Sequence, residues 1–357
     1  MSGAPAILDS PPRRVLVKAT NWLGDLVMSV PALRAVRRAF PGSSLAVLVK
    51  RELAGFFDGF AWVDRVIDYS VRGGLAGVAD RRSVIADIRA ARFDLAILLP
   101  KSFEAALWAA MARVPRRAGL VSQGRGLLLT NRAYPRDLAG RHQVNDYLQM
   151  LADTLGIEGA AQDVMIDVAE ARLAKMRDWL ASRRGQSGGP LIALAPAAAY
   201  GPAKEWPADR YESLIDRLHD TAGAECVLVG TPAERARCTE IANASRAGAI
   251  VAAGETDVGD LVALLSLSQG FAGNDSGAMH VAGALGIPTV GIFGSTDPER
   301  TGPLGKDVEH CRPSDAVATA NVFGPRVLEV ELLPIPVVCA LADAVRRFGV
   351  VGVQVGE

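Results

Sequence analysis

Short apolar runs alternate with stretches of helical periodicity along most of this chain, and that alternation limits the fold more than any single motif does. Arg14-Val15-Leu16-Val17-Lys18 leads into a polar turn, then into residues 26–40 with apolar side chains at helical spacing (Val30, Leu33, Val36, Ala39). Pro41-Gly42 ends that stretch, and a second apolar run covers 45–49. Strand, helix and strand in this order make a β-α-β unit, whose two strands run parallel. Asp94-Leu95-Ala96-Ile97-Leu98-Leu99 reads as a further strand buried on both faces. The rhythm breaks at Arg183-Arg184-Gly185-Gln186-Ser187-Gly188-Gly189-Pro190, which is small, polar and rich in glycine, and then resumes. Strands are expected at 191–194 and 225–230, helices at 209–221 and 258–267, a strand–helix–strand over 273–294 and a last helix over 332–348. The expectation is an α/β chain of two doubly wound domains, 13–182 and 191–348, with a disordered leader at 1–12, a linker at 183–190 and a tail at 349–357. Ligands of such sheets sit beyond the carboxyl ends of the strands, so the loops there hold the candidate chemistry.

Composition and missing motifs remove several classes of function. No apolar stretch reaches the roughly 18 uninterrupted residues of a membrane span. The start of the chain lacks the charged and apolar regions of a secretory signal. Cys226, Cys238, Cys311 and Cys339 are far apart and form no CxxC pair, which favours thiols in a reducing compartment over a disulfide framework or a zinc site. The turn after the first strand has Gly24 but no GxGxxG, against a dinucleotide oxidoreductase, and GxxxxGK[ST] and GxSxG are absent as well. Metal-ligand clusters are absent and His142, His219, His280 and His310 are scattered, which speaks against a bound metal; no cofactor is expected either. No basic run interleaved with aromatics speaks for nucleic acid.

Three strand-end loops combine groups that do chemistry. In Asn21-Trp22-Leu23-Gly24-Asp25 the glycine allows a tight backbone and the aspartate stands at a helix start. Read structurally, Asp25 is a helix cap, the commoner role; read functionally, it is a general base toward a sugar hydroxyl. The loop from Ala195 to Pro207 is built of small residues and carries Lys204, the only lysine between Lys175 and Lys306. Such a cation suits a phosphate as well as it suits an ordinary surface. In Gly273-Asn274-Asp275-Ser276-Gly277-Ala278-Met279-His280, Ser276 and Gly277 fall where a helix begins. Free backbone N–H groups there favour an anion, with Asp275 just before them and His280 one turn along. A buried helix that happens to be capped by Asp or Ser fits this segment about equally well.

These segments, in this order, resemble a known family. Asn21-Trp22-Leu23-Gly24-Asp25 through Pro31-Ala32-Leu33, Gly201-Pro202-Ala203-Lys204-Glu205-Trp206-Pro207, and Asn274-Asp275-Ser276-Gly277-Ala278-Met279-His280 through Phe293-Gly294-Ser295-Thr296-Asp297-Pro298 are similar to the ADP-heptose:lipopolysaccharide heptosyltransferases, glycosyltransferase family 9. The heptosyltransferase II type is the nearest in pattern, and the resemblance spans roughly 14–305. It implies a GT-B architecture, two Rossmann-like domains facing across a cleft, the first for the acceptor and the second for the nucleotide sugar. It also implies inverting transfer of heptose from ADP-heptose with no metal held by the protein. On the matching positions, Asp25 is the base for the acceptor hydroxyl, Lys204 faces the diphosphate and Asp275 takes heptose hydroxyls. The Ser276 and Gly277 backbone holds phosphate oxygens, His280 matches a family histidine, and Glu234 is placed to reach the ribose. Where the family loop carries a glycine and an acidic residue, this chain has Ala197 and Ala199.

Charge is split along the chain. Up to Gly185 there are 27 Lys and Arg against 18 Asp and Glu; beyond it, 12 against 21. The basic half suits an anionic partner, although attraction between the two halves would account for it too. The resemblance makes that partner a phosphorylated, Kdo-bearing lipid A core at the inner face of the cytoplasmic membrane. Lys18, Asn21, Arg125, Arg141 and His142 are the candidates to meet it, in a cytoplasmic, peripheral monomer. Two other readings compete: a transferase or epimerase for a different nucleotide sugar, and a binding protein that keeps the pocket without the reaction. Asp25 favours catalysis, since binding alone has no need of that carboxylate.

Overall fold

The computed structural model describes residues 10–136, 140–185, 188–197, 205–294, 296–305 and 308–311. The chain divides into two compact units, 1–167 and 168–357. In the first, β1 (Arg14–Lys18), β2 (Ser44–Lys50), β3 (Arg65–Tyr69), β4 (Leu95–Leu98), β5 (Arg116–Leu120) and β6 (Asn131–Ala133) form a parallel sheet ordered β3-β2-β1-β4-β5-β6. Its helices are α1 (Leu23–Met28), α2 (Val30–Ala39), α3 (Gly74–Ala91), α4 (Phe103–Met111) and α5 (Val144–Leu155). The second unit opens with α6 (Glu170–Ala181). Its sheet contains β7 (Leu191–Ala195), β8 (Glu225–Leu228), β9 (Ile250–Val251), β10 (Gly270–Asn274), β11 (Thr289–Ile292) and β12 (Val308–Cys311), ordered β12-β11-β10-β7-β8-β9. The remaining helices are α7 (Ala208–Ala222), α8 (Arg235–Ala244), α9 (Val258–Ser266), α10 (Gly277–Leu285) and α11 (Pro298–Thr301). Read from the other edge, the second order is β9-β8-β7-β10-β11-β12, so both units have the same winding. The strand order reverses between β1 and β4 in one unit and between β7 and β10 in the other, the places where such folds bind ligands.

Aliphatic runs form these sheets because helices cover both faces. β4, β7, β10 and β11 are buried from end to end, so alternation of polar and apolar residues would be a penalty there. One core of the first unit gathers Leu16, Leu48, Ile88, Leu98 and Trp108. In the second, Ile192, Leu194, Tyr211, Leu228 and Ile241 pack together. Gly273 is required for the join of β10 to β7: a Cβ there would stand 2.8 Å from the Cβ of Ala195 and 2.9 Å from its carbonyl oxygen. Among the described residues no helix is long and apolar enough to cross a membrane.

Two expectations change. The single helix over 26–40 is two, α1 and α2, meeting at Ser29. Pro31 has no N–H and its ring crowds the carbonyl four residues back, so a continuous helix is broken there. Ser29 closes α1 instead, its N–H reaching the carbonyls of Asp25 (3.0 Å) and Leu26 (3.1 Å). The domain boundary also moves, from a linker at 183–190 to the step between Asp167 and Val168. Arg172 and Lys175 of α6 both bind Asp260 of α9, at 2.8 and 2.6 Å, and Arg184 pairs with Glu225 at the start of β8. Against the upward push of its own burial, those two cations hold the Asp260 carboxyl below its ordinary range. These pairs attach α6 to the second unit. Lys204, the expected helix over 332–348, the tail at 349–357 and most of the leader lie outside the described residues.

Candidate active site

Residues after β1 carry the first cluster. The N-cap of α1 is Trp22, whose side chain makes no capping bond, and Asp25 is the third residue of the helix. Asp25 therefore does not cap. Its half-buried carboxylate accepts a hydrogen bond of 2.5 Å from Gln143 Nε2, which also lies 3.2 Å from Tyr147 Oη. Burial pushes the Asp25 carboxyl above its ordinary pKa, opposed by the Gln143 bond and the charge of Lys101. A carboxylate raised in this way accepts a proton more readily near neutral pH.

Two of the expected acceptor contacts are corrected by their burial. Lys18 is 3% exposed, and its ammonium donates to the Ala19 carbonyl and to Asn21 Oδ1 (3.1 Å). Tyr69 Oη donates to the same Asn21 oxygen at 3.0 Å, and the Tyr69 ring lies 5.0 Å from Lys18 Nζ. Burial first, then repulsion from Lys50, brings the Lys18 pKa down to about 7, with Glu104 opposing. Lys18 and Asn21 thus shape the loop that leads to Asp25. Arg125 is fully buried and donates to the carbonyls of Leu120 (2.8 Å), Ser102 (3.2 Å) and Pro100. It ties the exits of β4 and β5 together and has no surface left for an acceptor. Arg141 is exposed and His142 half-buried, immediately before Gln143; His142 Nδ1 accepts from the Val144 N–H at 3.3 Å.

The second cluster follows β10. Ser276 is the N-cap of α10, extended at φ −146° and ψ 167°, and its side chain makes no capping bond. Its Oγ is buried with no hydrogen-bond partner among the described residues. Asp275 is half-buried and accepts from Thr296 Oγ1 at 2.8 Å. His280 is buried on the same helix. Asp275, Ser276, Gly277 and His280 therefore stand together where β10 leaves the sheet beside β7. Glu234 follows β8, the strand on the other side of β7, and its Oε2 accepts from the Thr231 N–H at 2.6 Å, which secures a helix start. Among the described residues no group of His, Cys, Asp or Glu is placed to hold a metal ion.

Sequence reading passed over two residues. Asn274 is fully buried; its Oδ1 accepts from the Trp206 N–H (3.0 Å) and Tyr211 Oη (3.1 Å), and its Nδ2 donates to the Pro196 carbonyl (2.8 Å). It grips both ends of the segment in which Lys204 falls. An amide inside an apolar strand was the available signal, because a buried amide has to find partners. Gln143 gave no such signal, being one polar residue among several before a helix.

Over most of its length the chain is similar to proteins of one family. A match to glycosyltransferase family 9 (heptosyltransferase) spans residues 81–322. The chain is 31% identical over 305 residues to lipopolysaccharide heptosyltransferase 2 of Salmonella typhimurium, covering 82% of this chain and 85% of that relative. Identity to lipopolysaccharide heptosyltransferase 2 of Escherichia coli is 30% at the same coverage. The solved structure of E. coli ADP-heptose LPS heptosyltransferase II matches with a TM-score of 0.80 at 26% identity, over 94% of this chain and 100% of that one. Two parallel-sheet units of this kind are the GT-B type of α/β fold. On the extent of these matches, the chain is a glycosyltransferase and belongs to glycosyltransferase family 9, the heptosyltransferase family.

Proposed function

We propose that this protein transfers heptose from ADP-heptose to the inner core of lipopolysaccharide, with inversion at the anomeric carbon and Asp25 as general base. The observation that carries the reading is the Asp25 carboxylate itself. It stands after β1, half-buried, raised in pKa and not spent on capping, in a chain whose relatives are lipopolysaccharide heptosyltransferases.

Asp25 takes the proton of the acceptor hydroxyl as that oxygen bonds to the anomeric carbon. The bond from that carbon to the diphosphate oxygen breaks, and ADP leaves with the electron pair. Negative charge grows on the leaving group, where the Ser276 and Gly277 backbone and Lys204 meet it. One preorganised donor of this kind is worth about 3 kcal/mol. Asp275 orients heptose hydroxyls beside His280, and the Glu234 oxygen not engaged by Thr231 reaches the ribose. The acceptor is a phosphorylated Kdo-lipid A core at the inner face of the cytoplasmic membrane, with Arg141 and His142 on its side.

The test measures transfer from ADP-heptose to Kdo-lipid A, and to the same acceptor already bearing a heptose, with wild type and Asp25→Asn. The expected result is product with wild type and a loss of about a hundredfold or more in kcat for the variant. Donor binding should survive, and the anomeric configuration of the product reports inversion. Full activity of Asp25→Asn removes the base assignment. No binding or turnover of ADP-heptose removes the donor.

A further inference from the structure

We infer that Gln143 is the positioning residue of the Asp25 carboxylate: its amide fixes one oxygen of Asp25 and leaves the other to meet the acceptor hydroxyl. The inference rests on the reading of Asp25 as base. A carboxylate can only accept, so the amide must turn Nε2, not its carbonyl oxygen, toward Asp25. One N–H of that nitrogen goes to Asp25 Oδ1 at 2.5 Å and the other toward Tyr147 Oη at 3.2 Å. Flipping the amide would set its oxygen against the carboxylate. Two partners thus lock one orientation.

The lock has a rigid mount. Gln143 is the N-cap residue of α5, and Tyr147 is one turn further on the same helix, 8% exposed. The helix α5 packs on α2, which continues from the helix that carries Asp25. Among the described residues Asp25 receives no second side-chain hydrogen bond, so Oδ2 is left for the acceptor proton. A neutral donor is the suitable partner for a base. An arginine or lysine in that place would orient the carboxylate too, but would pull its pKa down by far more. Among the described residues, the charge that acts on Asp25 is that of Lys101 in the loop after β4, which stands 3.9 Å from Asp146 of α5; Tyr147 shares the Gln143 amide, and His142 precedes Gln143 in the chain.

Gln143→Leu removes the donor at similar size, Gln143→Glu replaces it with a second carboxyl, and Tyr147→Phe removes only the outer partner. For each, kcat, the KM for ADP-heptose and the pH dependence of kcat/KM are measured with Kdo-lipid A as acceptor. A donor to the ionised form lowers a carboxyl pKa, so its loss moves the acid limb of the profile to higher pH. Gln143→Leu should lower kcat between about tenfold and a hundredfold, at unchanged donor KM, with that upward shift. Gln143→Glu should shift the limb further, since two carboxyls then share one proton. Tyr147→Phe should do the same as Gln143→Leu to a smaller degree. The inference is overturned if Gln143→Leu folds, binds ADP-heptose normally and keeps the wild-type acid limb. Asp25→Asn separates the two ideas: if it is inactive while Gln143→Leu behaves as wild type, only the role of Gln143 falls. If Asp25→Asn is active, the base reading falls first.

Discussion

Asn274 makes three hydrogen bonds inside a strand that is otherwise apolar, and each partner is itself buried or next to a buried segment. Replacing it with alanine strands the Trp206 N–H and the Pro196 carbonyl away from water. Such orphaned groups cost about 1–3 kcal/mol each, so Asn274→Ala should lose about 2 kcal/mol or more in denaturant unfolding. Under the proposed role of Lys204, which falls between Pro196 and Trp206 in the chain, ADP affinity in calorimetry should fall as well. Unchanged stability together with unchanged ADP affinity would remove Asn274 as the anchor. Lys18 makes a different prediction, in pH. Unfolded, it keeps its proton up to a pKa near 10.5; folded, only to about 7. Between those values the unfolded chain binds more protons, so Lys18 makes stability rise with pH, by at most about 1.4 kcal/mol per unit. Lys18→Met should flatten the stability curve from about pH 7 to about pH 9. Parallel curves for wild type and variant would contradict the burial of this ammonium.

At the level of elements, the chain announced most of what it folds into. Runs such as Val15-Leu16-Val17 and Ile192-Ala193-Leu194 could only be buried parallel strands, because helical stretches and turn residues separate them. What stayed hidden depends on contacts far apart in sequence. Nothing local assigns α6 to the second unit; Asp260, which draws Arg172 and Lys175 to α9, lies some 85 residues away. The Gln143–Asp25 bond joins residues 118 apart, and only the return of the chain through β6 to α5 makes it. By sequence Asp25 is cap or base; Trp22 at the helix boundary removes the cap, and the base is the proposal made above. The join of β10 to β7 yields a prediction at this scale. Gly273→Ala places a methyl against Ala195 at a separation no packed core tolerates, and should cost about 1–3 kcal/mol. Because β10 also carries the Asp275–Ser276 loop, ADP binding should weaken with it. A variant as stable as wild type would show that the two strands can part without loss.

Taken over the whole molecule, the charge split looks different once the boundary is known. The basic excess up to Gly185 was nine, but Arg172, Lys175, Arg177, Arg183 and Arg184 belong to the second unit. Arg172, Lys175, Arg183 and Arg184 pair with Asp260, Glu255 and Glu225 of that same unit. The first unit then holds 22 basic against 16 acidic residues, and the second 17 against 23. An excess of six still gives the Asp25-bearing unit a positive field, and a phosphorylated acceptor is drawn by that field before any contact forms. Salt screens such steering: the Debye length falls from about 30 Å at 0.01 M to about 8 Å at 0.15 M. The KM for a phosphorylated Kdo-lipid A acceptor should therefore rise several-fold over that range of ionic strength. An acceptor stripped of its lipid A phosphates should start weaker and respond less. The donor is a sharper control, because the unit to which the proposed function assigns it carries net negative charge and no long-range field favours a diphosphate there. Its grip comes from short contacts, so the KM for ADP-heptose should change much less. Equal salt responses of the two acceptors would mean that the positive excess serves something other than acceptor capture.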